Sequence, residues 1–150
     1  MQINWEIKKF SDLSIEEFHD IIQLRIEVFV IEQDCPYQDL DGKDKMAYHV
    51  FCKNEKNEII ATSRLLAKGI SYEEVAIGRI VTSQKARGNG LGHALLKKSM
   101  ELCEEKFGLG PIRLSAQKHL EGYYNRHGFF STRKEYLEDG IPHIEMLYTP

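Results

Sequence analysis

Ile77-Gly78-Arg79-Ile80-Val81-Thr82-Ser83-Gln84-Lys85-Ala86-Arg87-Gly88-Asn89-Gly90-Leu91-Gly92-His93-Ala94-Leu95-Leu96 is the stretch that decides the fold. A strand-like run, Val75 to Thr82, leads into three alternate glycines. A helical pattern follows at once, with Leu91, Ala94, Leu95, Leu102, Cys103 and Phe107 apolar and Lys97, Lys98, Glu101, Glu104 and Glu105 mostly elsewhere. Glycine accepts backbone angles closed to other residues and lets a ligand approach the chain. The first amides of a helix lack internal partners and carry the positive end of its dipole. A strand, a glycine turn and a helix start therefore make an anion site, and a phosphate is its natural occupant. Arg87 adds a fixed cation. Two familiar phosphate turns are excluded. A dinucleotide turn would need a third glycine where His93 stands, and a P-loop would need Gly-Lys-Ser/Thr, which is absent.

Outward from the turn the pattern gives one mixed sheet. Ile3 to Phe10 alternates as a first strand. Ser14-Ile15-Glu16-Glu17 is a capping box, so a helix starts there. Its expected buried stripe is Phe18, Ile22, Arg25 and Phe29, with Ile21 beside it, and it ends before Pro36. Residues 35–45 read as a loop. Met46 to Lys53 and Glu58 to Ala67 form a hairpin over the polar turn Asn54 to Asn57. After the glycine helix, which Gly108 and Gly110-Pro111 end, come a strand at Ile112 to Ala116 and a short helix at Leu120 to His127. Two strands follow, Phe129 to Tyr136 and His143 to Tyr148, around Asp139-Gly140. The order β-α-β-β-β-α-β-α-β-β is α/β in content, an α+β mixed sheet flanked by helices, and not an alternating doubly wound fold.

Bulk properties bound the rest. The 150 residues fit one domain, 1–150, large enough to bury a core without a metal or disulfide. Twenty Lys and Arg against 23 Asp and Glu give a net charge of −3, which offers no electrostatic support for nucleic-acid or membrane-surface binding. The three cysteines, Cys35, Cys52 and Cys103, are odd in number and widely spaced. That argues against a disulfide framework or a metal site and fits a reducing cytoplasm. The start, Met1-Gln2-Ile3-Asn4-Trp5-Glu6, is not signal-like, and no apolar run is long enough to span a bilayer. A soluble cytoplasmic protein is expected, with a homodimer left open.

The glycine turn, Arg87-x-x-Gly90-x-Gly92, resembles the Q/R-x-x-G-x-G/A signature of the GNAT N-acetyltransferase superfamily. Tyr124-Asn125-Arg126-His127-Gly128-Phe129 is similar to that family's Y-x-x-x-G-F ending. Three further stretches, residues 24–33, 35–42 and 138–144, resemble its ElaA-like subgroup. The element order above is also that of the family, so the resemblance spans the chain.

The resemblance implies an acetyl-CoA-dependent N-acetyltransferase with a GNAT fold. Its acceptor would be a primary amine, a small molecule or a peptide, attacking the thioester directly in a ternary complex. The alternative is an acyl-CoA-binding regulatory module without turnover. By this resemblance the strand end Ile80-Val81-Thr82 splays from its neighbour and pairs with the pantetheine arm. Arg87, Gly88, Asn89, Gly90, Leu91 and Gly92 hold the pyrophosphate. Gln117 faces the cofactor arm where the family often has Asn, and Tyr124 lies near the sulfur.

The chemistry sets further demands. An amine of pKa ~10.4 costs ~4.6 kcal/mol to deprotonate at pH 7. The thioester oxygen needs a backbone donor as charge develops, and the amide near Val81 is the candidate. The leaving thiolate needs a proton, which Tyr124 could give at an uphill cost of ~2 kcal/mol. Some family members carry a Glu base on the strand before the turn. Val75-Ala76-Ile77-Gly78-Arg79-Ile80 has no carboxylate. Glu32, His49 and His143 remain as catalytic candidates. Arg25, Glu32 and His143 are the expected substrate contacts, Arg25 because an unpaired guanidinium on an apolar stripe must meet a carboxylate or line the cleft. The acids Glu32, Asp39, Asp41, Asp44, Glu138 and Asp139 would favour a cationic amine if they face it.

Overall fold

The computed structural model describes residues 3–150. Its elements follow the expected order: β1 (Trp5–Lys9), α1 (Ile15–Arg25), β2 (Tyr48–Lys53), β3 (Ile59–Leu66), β4 (Val75–Thr82), α2 (Leu91–Phe107), β5 (Ile112–Gln117), α3 (Glu121–Asn125), β6 (Phe129–Glu138) and β7 (Ile141–Tyr148). The strands form one seven-stranded sheet in the order β1-β2-β3-β4-β5-β7-β6. All neighbours are antiparallel except β4 and β5. Those two pair in parallel only at Val75↔Ile112 and Ala76↔Arg113, and then part.

Helices cover both faces of the sheet. Leu91, Leu95, Leu96, Leu102 and Cys103 of α2 pack on Ile77, Ile112, Leu114, Ile144 and Met146. On the other face Ile21, Leu24 and Val28 meet Phe51, Ile59 and Val81. The capping box forms as expected. Ser14 Oγ accepts from the Glu17 amide at 3.0 Å, and Glu17 Oε1 accepts from the Ser14 amide at 2.9 Å. The buried stripe of α1 differs from the expected one by a rotation of one residue. It is Glu17, Ile21, Leu24 and Arg25, while Phe18 and Ile22 are half-buried. Lys8 and Lys53 neutralise Glu17, which is how a carboxylate can sit on the buried side.

The helix also continues past Arg25. Ile26–Glu32 is a π-helical segment, closed by wide-turn bonds such as Gln33 N–H to Val28 O at 3.2 Å. Such widened turns concentrate at functional sites. Here the segment keeps Val28 in the core and carries Glu32 to the cleft described below.

A buried ionic network pins the loop that follows. Arg25 is 1% exposed; its Nε donates to Asp39 Oδ2 at 2.8 Å and its Nη1 to Asp44 Oδ1 at 2.7 Å. Arg64 on β3 grips Asp41 with both terminal nitrogens, at 2.8 and 2.9 Å. Arg79 on β4 lies 2.9 Å from Asp39 Oδ1 through Nε, an ion pair without hydrogen-bond alignment. Its Nη2 donates to the Asp39 carbonyl at 2.9 Å. Three arginines from three elements thus offset three aspartates of one loop.

The network makes stability depend on acid. Burial alone would raise the Asp44 carboxyl, but the Arg25 hydrogen bond and both arginine charges hold it below the usual range. Asp41, bonded to Arg64, is likewise held well below that range. A depressed carboxylate adds stability above its unfolded pKa of ~3.9 and loses it as pH falls through the folded value. The melting temperature should therefore drop steeply below about pH 4. At neutral pH, Arg25→Ala leaves Asp39 and Asp44 without their main cation and should cost about 3–5 kcal/mol in urea unfolding. A loss within experimental error would show that the network does not support the loop.

Candidate functional site

Where β4 and β5 part, a cleft of about 570 Å³ opens. The π segment and residues 35–38 wall one side, and β5, α3 and the β6–β7 hairpin wall the other. Its geometry starts from the glycine turn. Gly88 and Gly90 have φ of +97° and +81°, and Gly90 is the residue that starts α2. The first bond into the helix runs from the Ala94 amide to the Gly90 carbonyl at 3.1 Å. Among the described residues no backbone or side-chain acceptor meets the amides of residues 88–93. These consecutive free donors at a helix start form an anion cradle. A Cβ on Gly88 or Gly90 would meet nothing within 4 Å, so the space above the turn is open.

Arg87 stands beside the cradle. Its Nη1 donates to Glu32 Oε2 at 2.8 Å and its Nη2 to the Thr82 carbonyl at 3.0 Å. The strand end is therefore tied to both the turn and the π segment.

The free edge of β4 supplies the second half of the site. The Ser83 amide donates to the Ile60 carbonyl at 2.8 Å, and Val81 pairs with Thr62. Backbone groups alternate in direction along a strand, so Val81 also points at β3. Ile80 and Thr82 then point into the cleft. Of the amides near Val81, that of Ile80 faces the cleft. A bulge precedes it: Arg79 and Ile80 together oppose Ser63, and Arg79 has φ +49°. Bulges bend a strand away from its neighbour and re-aim its groups.

The other sequence candidates fall into two groups. Gln117, Tyr124, Glu32 and His143 line the cleft with Ile80, Val81, Thr82, Arg87 and Gly92. Gln117 Nε2 donates to Gln33 Oε1 at 3.1 Å, across the opening. Tyr124 is 6% exposed and packs edge-on to Tyr123 and Phe129. Burial, with a smaller push from Tyr123, raises its phenol above the usual range, so it stays protonated. His143 is 8% exposed; its Nδ1 donates to the Ile141 carbonyl at 2.8 Å and its Nε2 is 3.2 Å from Glu138 Oε2.

Arg25 and His49 do not reach the cleft, which corrects both assignments. Arg25 is consumed by Asp39 and Asp44. His49 is 1% exposed, its Nε2 donates to the Asp44 carbonyl at 2.9 Å, and burial holds the ring neutral. Neither can touch a substrate in this arrangement. The acidic set divides too. Asp39, Asp41 and Asp44 are neutralised in the network, while Glu32, Glu138 and Asp139 line the cleft. Sequence reasoning missed Arg79, which lines the cleft beside Tyr37 and ties β4 to the acidic loop. An arginine inside an otherwise apolar strand was the available signal.

A mixed sheet split at a parallel pair, with a phosphate-type cradle at the split, defines a fold for holding a nucleotide-linked extended arm. The chain belongs to the GNAT acetyltransferase family: the acetyltransferase (GNAT) domain matches residues 7–150. It is 40% identical to the protein ElaA of Escherichia coli strain K12 over 145 residues, which is 96% of this chain and 95% of that protein. The crystal structure of an acyl-CoA N-acyltransferase from Pseudomonas aeruginosa matches at TM-score 0.93 and 41% identity, covering 99% of this chain and 100% of that one. The crystal structure of Escherichia coli ElaA matches at TM-score 0.90 and 38% identity, covering 98% and 99%. Among the described residues no helix is long and apolar enough to cross a membrane.

Free amides at residues 88–93 and the unpaired edge of β4 fit the pyrophosphate and the amide-bearing arm of coenzyme A. At Gly90 the left-handed backbone strains any L side chain, and a branched one would stand in the open approach. Gly90→Val should therefore abolish coenzyme A binding in calorimetry while circular dichroism still shows a folded protein. Unchanged binding in the folded variant would remove the cradle from the site. Arg87→Ala keeps the amides and loses one cation, so affinity should fall by about 1–2 kcal/mol, less than for a buried charged bond because the side chain is partly exposed.

Proposed function

We propose that the protein transfers an acetyl group from acetyl-CoA to a primary amine by direct attack in a ternary complex. One observation carries the reading: an anion cradle and an unpaired strand edge open into the same cleft, in line with each other along β4 and the turn. Acetyl-CoA supplies an activated acyl carbon held as a thioester. The amides of residues 88–93 hold the pyrophosphate, and Ile80 and Thr82 hydrogen-bond the arm as a neighbouring strand would. This fixes the thioester against the β4 bulge. The Ile80 amide then donates to the carbonyl oxygen as charge develops on it, a contribution typically of about 3–4 kcal/mol for one such donor. Gln117 faces the arm from the opposite wall.

Tyr124 is the proton donor to the leaving sulfur. Burial opposes a phenolate, so the hydroxyl remains an O–H donor at working pH. The same burial opposes a thiolate beside it, which favours transfer of the proton to sulfur. Three free, buried cysteines support a cytoplasmic setting.

Thiol release from acetyl-CoA across a panel of primary amines and lysine peptides tests the reading. A folded protein that binds coenzyme A but releases no thiol with any amine would instead be a regulatory acyl-CoA-binding module. With the best amine, Tyr124→Phe should slow turnover by ~10²–10⁴-fold. The loss should appear about equally in kcat and kcat/KM, because the contact is made in the transition state. Wild-type rates in the Phe variant would return this proton to water.

A further inference from the structure

The acceptor half of the cleft is built on one face of β5, β7 and β6. Ile112, Leu114, Ala116, Ile144 and Met146 of this subsheet face α2 and the core. The alternate positions, Ser115 and Gln117 on β5 with Glu145 and His143 opposite them on β7, share the other face. Tyr136 of β6 pairs with His143 and stacks on its ring, with centroids 6.1 Å apart and planes 18° apart. The Tyr136 hydroxyl in turn donates to Ser115. This polar sheet face forms one floor of the cleft, with Ser115, Gln117 and His143 lining it.

On that floor the His143 imidazole is held in a single tautomer. A carbonyl oxygen only accepts, so the 2.8 Å contact with Ile141 places the hydrogen on Nδ1. In the neutral ring Nε2 then carries the lone pair. It lies 3.2 Å from the Glu138 carboxylate, which also only accepts. Two acceptors facing one another are satisfied by a shared donor. An N–H of an incoming amine supplies one, and a proton taken up by Nε2 supplies another. The other charges on the cleft walls are Glu32 with Arg87, Arg79 with Asp39, and Asp139 on the β6–β7 turn. Arg113 holds Glu145 at 2.8 Å and Glu74 at 2.7 Å, leaving Glu138 as the carboxylate directed at His143. Gln117 on β5 and Tyr136 on β6 are neutral neighbours. No carboxylate stands on β4 to do this work.

We infer that His143 Nε2 is the base for the attacking amine, and that Glu138 positions the ring and stabilises the imidazolium once formed. The inference rests on the acyltransferase reading above. The amine nitrogen uses its lone pair to form the C–N bond, and its proton passes to Nε2. The C–S bond breaks with its electron pair going to sulfur, which takes the Tyr124 proton. The proton on Nε2 returns through water to the Tyr124 oxygen. The net change is amine plus thioester to amide plus thiol.

The test uses 1,4-diaminobutane, n-butylamine and a lysine peptide with acetyl-CoA, alongside ¹⁵N NMR of the histidine rings. His143→Gln should lower kcat by ~10²–10⁴-fold with coenzyme A binding unchanged, and should remove the acid limb of the pH profile. Glu138→Gln is a change at a half-exposed position that should not disturb folding. It should lower kcat about two- to fivefold with KM unchanged, since the imidazolium formed during turnover loses its counter-charge. The NMR should show neutral His143 carrying its hydrogen on Nδ1. Wild-type turnover with an unchanged rate and profile in His143→Gln would overturn the inference alone, as would a hydrogen on Nε2 in neutral His143. If the wild type releases no thiol with any of these amines, the acyltransferase reading itself falls and the base goes with it.

Discussion

The site exists because β4 and β5 pair over two residues and no more. A parallel pair in mid-sheet would ordinarily hide its backbone groups from any ligand. Here the bulge at Arg79 and Ile80 turns β4 aside, and its amides are left facing open space. The cost of unpaired backbone is large when it is buried, so a strand edge left open in a cleft is a place for another chain-like molecule. The same strand runs directly into the glycine turn. One element therefore joins the open strand edge to the anion cradle.

The buried ionic network keeps that opening in shape. The loop at residues 35–46 has few apolar anchors and would be a poor wall by itself. Arginines from α1, β3 and β4 hold it by its aspartates, and Arg79 joins the network to the bulge. Ion pairs of this kind seldom raise stability above that of an apolar core, but their geometry is strict. In this molecule they fix where the loop wall of the cleft stands relative to β4. That explains why side chains suited to substrate contact by type, Arg25 above all, serve the architecture.

How far the sequence could be read depended on whether a feature is local. The capping box, the hairpin turn and the glycine turn are encoded within a few residues, and each appears where the pattern placed it. The resemblance carried by Arg87-x-x-Gly90-x-Gly92 and by residues 124–129 agreed with the element order read along the chain. Long-range pairing was hidden. Nothing near Arg25 announces Asp39 and Asp44, and nothing near His49 announces that its ring is spent on a carbonyl. The choice of buried stripe on α1 failed for the same reason, because the lysines that neutralise Glu17 lie on other strands. His143 and Glu32 could be named as residue types with suitable chemistry. Only the packing of β5, β6 and β7 around His143, and the π segment that carries Glu32, separate them from His49 by location.

The π segment has a consequence for chain length. Its i→i+5 bonds absorb one more residue per turn than an α-helix would, as in Cys35 N–H to Val30 O at 3.0 Å. Loss of a single residue between 26 and 32 would let the helix close in the ordinary way. The wider turns take up the extra residue inside the segment, so the chain beyond Glu32 would keep nearly its present direction. What would be lost is the widened wall itself, the run of backbone between Val28 and Gln33 that lines the cleft. Substitution along this segment is a matter of side-chain fit, while its length sets the shape of that wall.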